Sequence, residues 1–392
     1  MPSATARLGA LRSFILLYVL IYGAFGVASP FWPRFFETRG MAPEQIGVLF
    51  GLGTMVRLIA GPIVARIADR LQEIRGGLAI AAAFAACFGF GLLWVEGFWI
   101  FLFVHLCHEA ALAPTTSLAD ALALSASNSR GSQGRFEYGW VRGSASAAFV
   151  LGTIVAGQVI DSAELSAIVW MHVALLLGAA SAAMLVPAPD RRAEAAPEPS
   201  SFIAVRELLG IVVYRRVILI AALVYGSHAM YDAFAVIQWN ADGISPTTIS
   251  LLWSEAVLAE VIIFLLIGPR LVDAVGSGGA AAIAVLSAIL RWTVMASSTN
   301  EVALAILQPL HGMTFALLHL ACMRLMGICV PPHLAATSQA IYALGPGLAS
   351  ALLTLSSGML YARFGASGFL LMALLSALAL PLCPGLQSLF RR

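Results

Sequence analysis

Apolar runs long enough to cross a bilayer recur from one end of the chain to the other, separated by short polar stretches. A spanning helix needs roughly 20 residues. On that ruler about twelve spans fit, near 12–34, 44–65, 76–95, 98–124, 136–160, 165–186, 211–238, 247–269, 278–298, 302–324, 334–361 and 366–388. One interruption stands apart. Pro187 to Arg206 carries Pro187, Pro189, Pro197 and Pro199 among alternating charges and reads as a polar linker. The pattern therefore predicts an all-α integral membrane protein, with six spans over 1–187, a linker over 188–206 and six more spans over 207–392.

Composition agrees with that pattern. Of 392 residues 60% are hydrophobic and 11% charged, whereas soluble domains carry about 25% charged residues. A net charge of +2 argues against nucleic acid as a partner. The five cysteines all lie in apolar runs, which is not the arrangement of a disulfide framework. The first twelve residues lead straight into a full-length span, so no cleaved leader is expected. All 22 basic residues are arginines, and their placement is lopsided. With the N-terminus inside, sixteen fall in cytoplasmic segments, against Arg34, Arg39 and Arg363 outside and Arg57, Arg142 and Arg291 within spans. This bias predicts that both termini and the linker are cytoplasmic.

The ionisable residues inside spans carry the candidate chemistry. Between Ser250 and Arg324, one span holds Glu255 and Glu260, the next Arg291, the third His311 and His319. A charge at the bilayer centre costs roughly 2.5–3.5 kcal/mol on insertion scales, so such groups must face one another or a wet cavity. Helix rise puts Glu255, Arg291 and His311 at a common depth of about 12–15 Å, with Glu260 one to two turns deeper. The two glutamates point about 140° apart and cannot share one partner. One of them is expected to pair with Arg291 while the other titrates, with Glu260 favoured for titration. The alternative is a fixed Glu260–Arg291 ion pair. His311 and His319, about 80° apart on a regular helix, suit proton coupling because imidazole titrates near neutrality. The alternative for each is a packing role.

In the first half Arg142 offers paired planar donors to an anionic or hydroxyl-rich substrate, unless Asp120 or Glu137 occupies it. Tyr22, His228, Tyr231 and Trp253 are candidate aromatic lining, and Glu109, Asp120 and Asp232 are further acids within spans. Phe31, Trp32 and Trp239 are expected as interface anchors. His105, His108 and Glu109 lack the spacing of a zinc-binding helix, so no metal is expected. Neither a nucleotide motif nor a nucleophile–base constellation is evident. This leaves a non-enzymatic protein without cofactor, acting on a small solute and protons in the bilayer as a monomer.

Longer stretches carry a family likeness. Gly61 to Arg75 (GPIVARIADRLQEIR), with Asp69-Arg70 as its acid–base pair, resembles the loop between spans two and three of the major facilitator superfamily. Ala65 stands where that motif has glycine. Gly268-Pro269 followed by Asp273 echoes the stretch in the second half. Tyr138-Gly139-Trp140-Val141-Arg142, Gly226 to Phe234 (GSHAMYDAF), Leu252 to Phe264 (LWSEAVLAEVIIF), Arg291-Trp292 and Leu310 to Arg324 (LHGMTFALLHLACMR) resemble the 3-phenylpropionate:proton symporter family, itself akin to lactose permease. The resemblance implies the major facilitator fold of two six-helix bundles with one central cavity. It also implies proton symport of an aromatic or similar carboxylate by alternating access across a bacterial inner membrane. The roles it carries over fall on Arg142, His228, Tyr231, Glu260, Arg291, His311 and His319. Glu109, Asp232, Glu255 and Ser144 depart from the pattern. They keep open a sugar- or nucleoside-type symporter, or an exporter of the same fold.

Overall fold

A computed structural model describes residues 4–128, 136–162, 164–187 and 202–386. Hydrocarbon offers backbone amides no partner, so a spanning segment must satisfy them within itself. The described residues accordingly form helices and no strand. In the first half these are α1 (Ala4–Ala28), α2 (Trp32–Thr38), α3 (Pro43–Leu71), α4 (Ile74–Gly91), α5 (Phe98–Asn128), α6 (Tyr138–Ser162) and α7 (Ala167–Leu185). In the second they are α8 (Phe202–Gly210), α9 (Val212–Gly226), α10 (Ala229–Ala241), α11 (Pro246–Ile262), α12 (Gly268–Met295), α13 (Glu301–Leu307), α14 (Leu310–Gly312), α15 (Leu318–Cys329), α16 (Ala335–Phe364) and α17 (Phe369–Ala377).

Ten stretches among the described residues are long and apolar enough to cross a membrane. Two of them, Pro246–Met295 and Thr337–Leu382, have 50 and 46 residues and hold two crossings each, which makes twelve. The first pair parts at Gly276, whose backbone (φ 73°, ψ 164°) only glycine adopts readily. The second parts at Gly365. The expected spans eight and nine are thus one continuous helical path with a break, not two helices and a loop.

The chain forms two compact units. One comprises Met1–Met41, Leu52–Glu194 and Ser245–Leu251, the other Ala42–Gly51, Ala195–Ile244 and Leu252–Arg392. In the first, α1 packs on α6 and α7, and α4 on α5 and α7. Phe14, Leu17, Tyr18 and Ile21 of α1 meet Leu78, Ala82, Leu118, Leu122, Ala179 and Ala183 there. In the second, α9 packs on α16, and α12 on α15 and α17. Residues 188–201 of the expected linker, with Arg191 and Arg192, lie outside the described residues, as do Arg130, Arg135, Arg391 and Arg392. Its final residues, 202–206, already belong to α8.

The anchor expectation for Phe31, Trp32 and Trp239 fails. Their exposures are 2%, 6% and 1%. Short α2 turns its aromatic face inward, so Trp32 packs on Phe36 (ring centroids 5.4 Å), His172 (5.6 Å) and His108 (6.0 Å). Trp239 lies against Tyr231 at 5.9 Å.

Candidate functional site

The second unit builds a polar cluster around Arg291. Its side chain is fully buried on α12, yet its hydrogen-bond partners are neutral. Nη1 reaches His228 Nε2 (3.3 Å), His311 Nδ1 (3.3 Å) and Thr314 Oγ1 (3.4 Å), and Nη2 reaches Gln308 Oε1 (3.4 Å). The guanidinium also lies 5.0 Å from the Tyr231 ring centre and 4.7 Å from that of Trp292. Aromatic faces and several acceptors offset part of the cost of burying a cation. The alternative of a fixed Glu260–Arg291 ion pair is not what these contacts form. Glu260 Oε2 lies 3.6 Å from His311 Nε2 instead.

These contacts assign the ring protons. Arginine only donates, so His311 Nδ1 accepts, and the proton of a neutral His311 ring sits on Nε2, toward Glu260. His228 is oriented the other way. Its Nδ1 lies 2.9 Å from Val224 O, a pure acceptor, and so bears the hydrogen. Its Nε2 is then the lone pair that receives Arg291 Nη1, with Thr314 Oγ1 3.0 Å away. A helix break at Ser227–His228, between α9 and α10, puts this ring in place. Ser227 Oγ accepts from Trp292 Nε1 at 2.9 Å and fixes the neighbouring indole.

A π-turn at Met313–Leu317 separates His311 from His319. Eight residues of regular helix rotate their side chains about 80° apart; a π-turn absorbs about one residue of rotation and reduces that to about 20°. Both imidazoles thus come to the Glu260 side, with His319 Nδ1 also 3.4 Å from Tyr342 Oη. A second π-turn, Ile263–Ile267, follows Glu260 directly. π-turns inside α-helices concentrate at functional sites.

The first unit builds a different cluster around Arg142 on α6. This exposed guanidinium donates to the Tyr22 hydroxyl of α1 and lies 4.9 Å over the same ring. Tyr18 stacks on Tyr22 at 5.7 Å, and Phe25 extends the aromatic surface at 6.0 Å. Asp120 on α5 is engaged by two phenols, accepting from Tyr18 Oη at 2.5 Å and Tyr138 Oη at 2.8 Å. The neighbouring acid is thereby held by hydroxyls, and Arg142 is held by a phenol rather than by Asp120 or Glu137.

The remaining candidates distribute as follows. His228, Tyr231 and Trp253 belong to the Arg291 cluster, where Tyr231 stacks on Trp253 at 5.0 Å and donates to Gln308 at 3.0 Å. Glu109 joins neither cluster. It is buried beside His105, His108 and His172 and ion-pairs with Arg57 at 3.1 Å, without hydrogen-bond alignment. Asp232 is exposed on α10 and Glu255 half-buried on α11. Asp69 and Arg70 lie in the last turn of α3, and Asp273 pairs with Arg324 in the second unit. Sequence reasoning missed Tyr18, Tyr138, Gln308 and Thr314. The last two had a signal, since Gln308, His311 and Thr314 recur every three residues.

Two units that together hold twelve crossings are the architecture of the major facilitator fold. The chain belongs to the MFS_1 like family, matched over residues 11–372. It is 30% identical to the probable 3-phenylpropionic acid transporter of Escherichia coli (strain K12) over 382 residues, covering 95% of this chain and 97% of that protein. The fold is shared with the nucleoside transporter NupG (TM-score 0.80, 16% identity, 98% of this chain and 99% of that one). It is shared too with a bacterial homologue of the human lysosomal transporter Spinster (TM-score 0.76, 14% identity, 98% of each chain).

Proposed function

We propose that this protein is a proton-coupled symporter that carries an aromatic or similar small carboxylate into the bacterial cytoplasm by alternating access. In this proposal it sits in the inner membrane with both termini inside. The observation that carries the substrate class is the state of Arg142. Its charge faces a tyrosine instead of a carboxylate, on a surface of Tyr18, Tyr22 and Phe25. A guanidinium beside stacked rings suits a ligand that is an anion at one end and an arene at the other. Pairing of Glu109 with Arg57 removes one of the acids that would repel such an anion. The name of the Escherichia coli relative supports the same class.

For coupling, the proposal assigns the exchanged proton to Glu260, with His311 as its first partner and Arg291 as the fixed cation. Arg291 and His228 hold His311 in one orientation, so its Nε2 remains aimed at Glu260. Competition for transport decides the substrate class. Unlabelled carboxylates of matched size should inhibit uptake of labelled 3-phenylpropionate, and nucleosides, sugars and amines should not. Inhibition by the second group alone would overturn the assignment.

A further inference from the structure

Beyond His319 the polar contacts continue through residues with no role so far. Tyr342 Oη on α16 lies 3.4 Å from His319 Nδ1 and 3.3 Å from Tyr225 Oη on α9. Tyr225 Oη in turn lies 3.3 Å from Phe315 O, inside the π-turn. Tyr342 is 7% exposed and Tyr225 is half-buried. The titratable groups facing it are His319 and Cys322 of α15 and Glu260 of α11. The charge of Glu260 bears on both His319 and Tyr225. Glu260 thus bears on His319 as well as contacting His311, and His319 leads on to the Tyr342 hydroxyl.

We propose that Tyr342 is a relay residue through which the coupling proton passes between His319 and Tyr225. This rests on Glu260 being the coupling carboxylate. In the release direction Glu260 gives its proton to His319. The Nδ1–H of His319 then passes to the Tyr342 oxygen as the Tyr342 hydroxyl proton moves to Tyr225. The Tyr225 hydroxyl proton leaves to water, so each phenol ends neutral with one O–H. Phenol hydroxyls can do this because each both donates and accepts.

The test uses the full-length protein in proteoliposomes with an entrapped pH dye and 3-phenylpropionate as the probe. Tyr342→Phe should slow substrate-dependent proton entry by about 100-fold, the lower end of what a positioned proton-transfer group contributes. It should leave exchange of labelled for unlabelled substrate at its normal rate and KM. Tyr342→His, which restores a proton carrier at the same place, should recover proton entry. Normal proton entry in Tyr342→Phe overturns the relay. So does an equal loss of exchange and proton entry in both variants, the mark of a packing role. Glu260→Gln separates the two levels. If that variant still couples protons, the coupling assignment fails first. If it is uncoupled while Tyr342→Phe behaves normally, the relay alone fails.

Discussion

Arg142 and Arg291 show how one residue type serves two ends. Arg291 is enclosed by neutral acceptors and rings, so its charge is a permanent part of the second unit. Arg142 is exposed and held by one phenol, so its remaining donors are available to a ligand. Arg142→Lys should weaken substrate binding by about 1–3 kcal/mol, the range for a hydrogen bond to a charged group, because an ammonium has neither the fork nor the stacking plane. Asp232→Asn, at an exposed position on α10, should change affinity little. Equilibrium binding to the two variants checks both expectations. At this scale helix rise put His311 level with Glu255 and Arg291 and left Glu260 deeper, whereas the structure brings Glu260 to His311 at 3.6 Å. Sequence reasoning misassigned the partner of Arg291, because the orientation of His228 depends on a helix break and that of His319 on a π-turn. Neither irregularity leaves a mark in hydropathy.

Among the elements, the two π-turns are the departures from regular helix that matter most for the site. Ile263–Ile267 and Met313–Leu317 meet where Gly312 lies against the preceding helix. A Cβ on Gly312 would sit 2.7 Å from Ala259 O and 2.8 Å from Ile263 Cγ1. Gly312→Ala should therefore force α14 and α11 apart and destabilise the protein by about 1–3 kcal/mol, as overpacking does. It should also lengthen the Glu260–His311 approach. A lower Tm in detergent together with slower proton-coupled uptake is the expected pair of results. An unchanged Tm would mean that the helices separate there without cost. Most helices were legible as apolar runs of the right length. What hydropathy missed is where a run bends, because Gly276, Ser227-His228 and the π-turns alter direction without altering polarity. It also misread short α2, whose aromatic residues look like an interface belt but close over buried histidines.

On the scale of the whole molecule, length and arginine placement carry topology, and side-chain geometry carries chemistry. The arginine bias predicts that the stretch after Pro187 lies inside the cell, so a cysteine introduced as Ser200→Cys should react with a membrane-impermeant maleimide only after the cells are opened. Labelling in intact cells would reverse the orientation. The claim on which the rest depends is that proton movement through Glu260 drives uptake. Accumulation of radiolabelled 3-phenylpropionate in vesicles with an imposed inward proton gradient tests it most directly, comparing the native protein with Glu260→Gln. The native protein should concentrate the solute above its external level and lose that ability when a protonophore is added. The amide, as a mimic of the protonated carboxyl, should exchange solute without concentrating it. Protonophore-insensitive accumulation by the native protein, or full gradient-driven accumulation by Glu260→Gln, would contradict it.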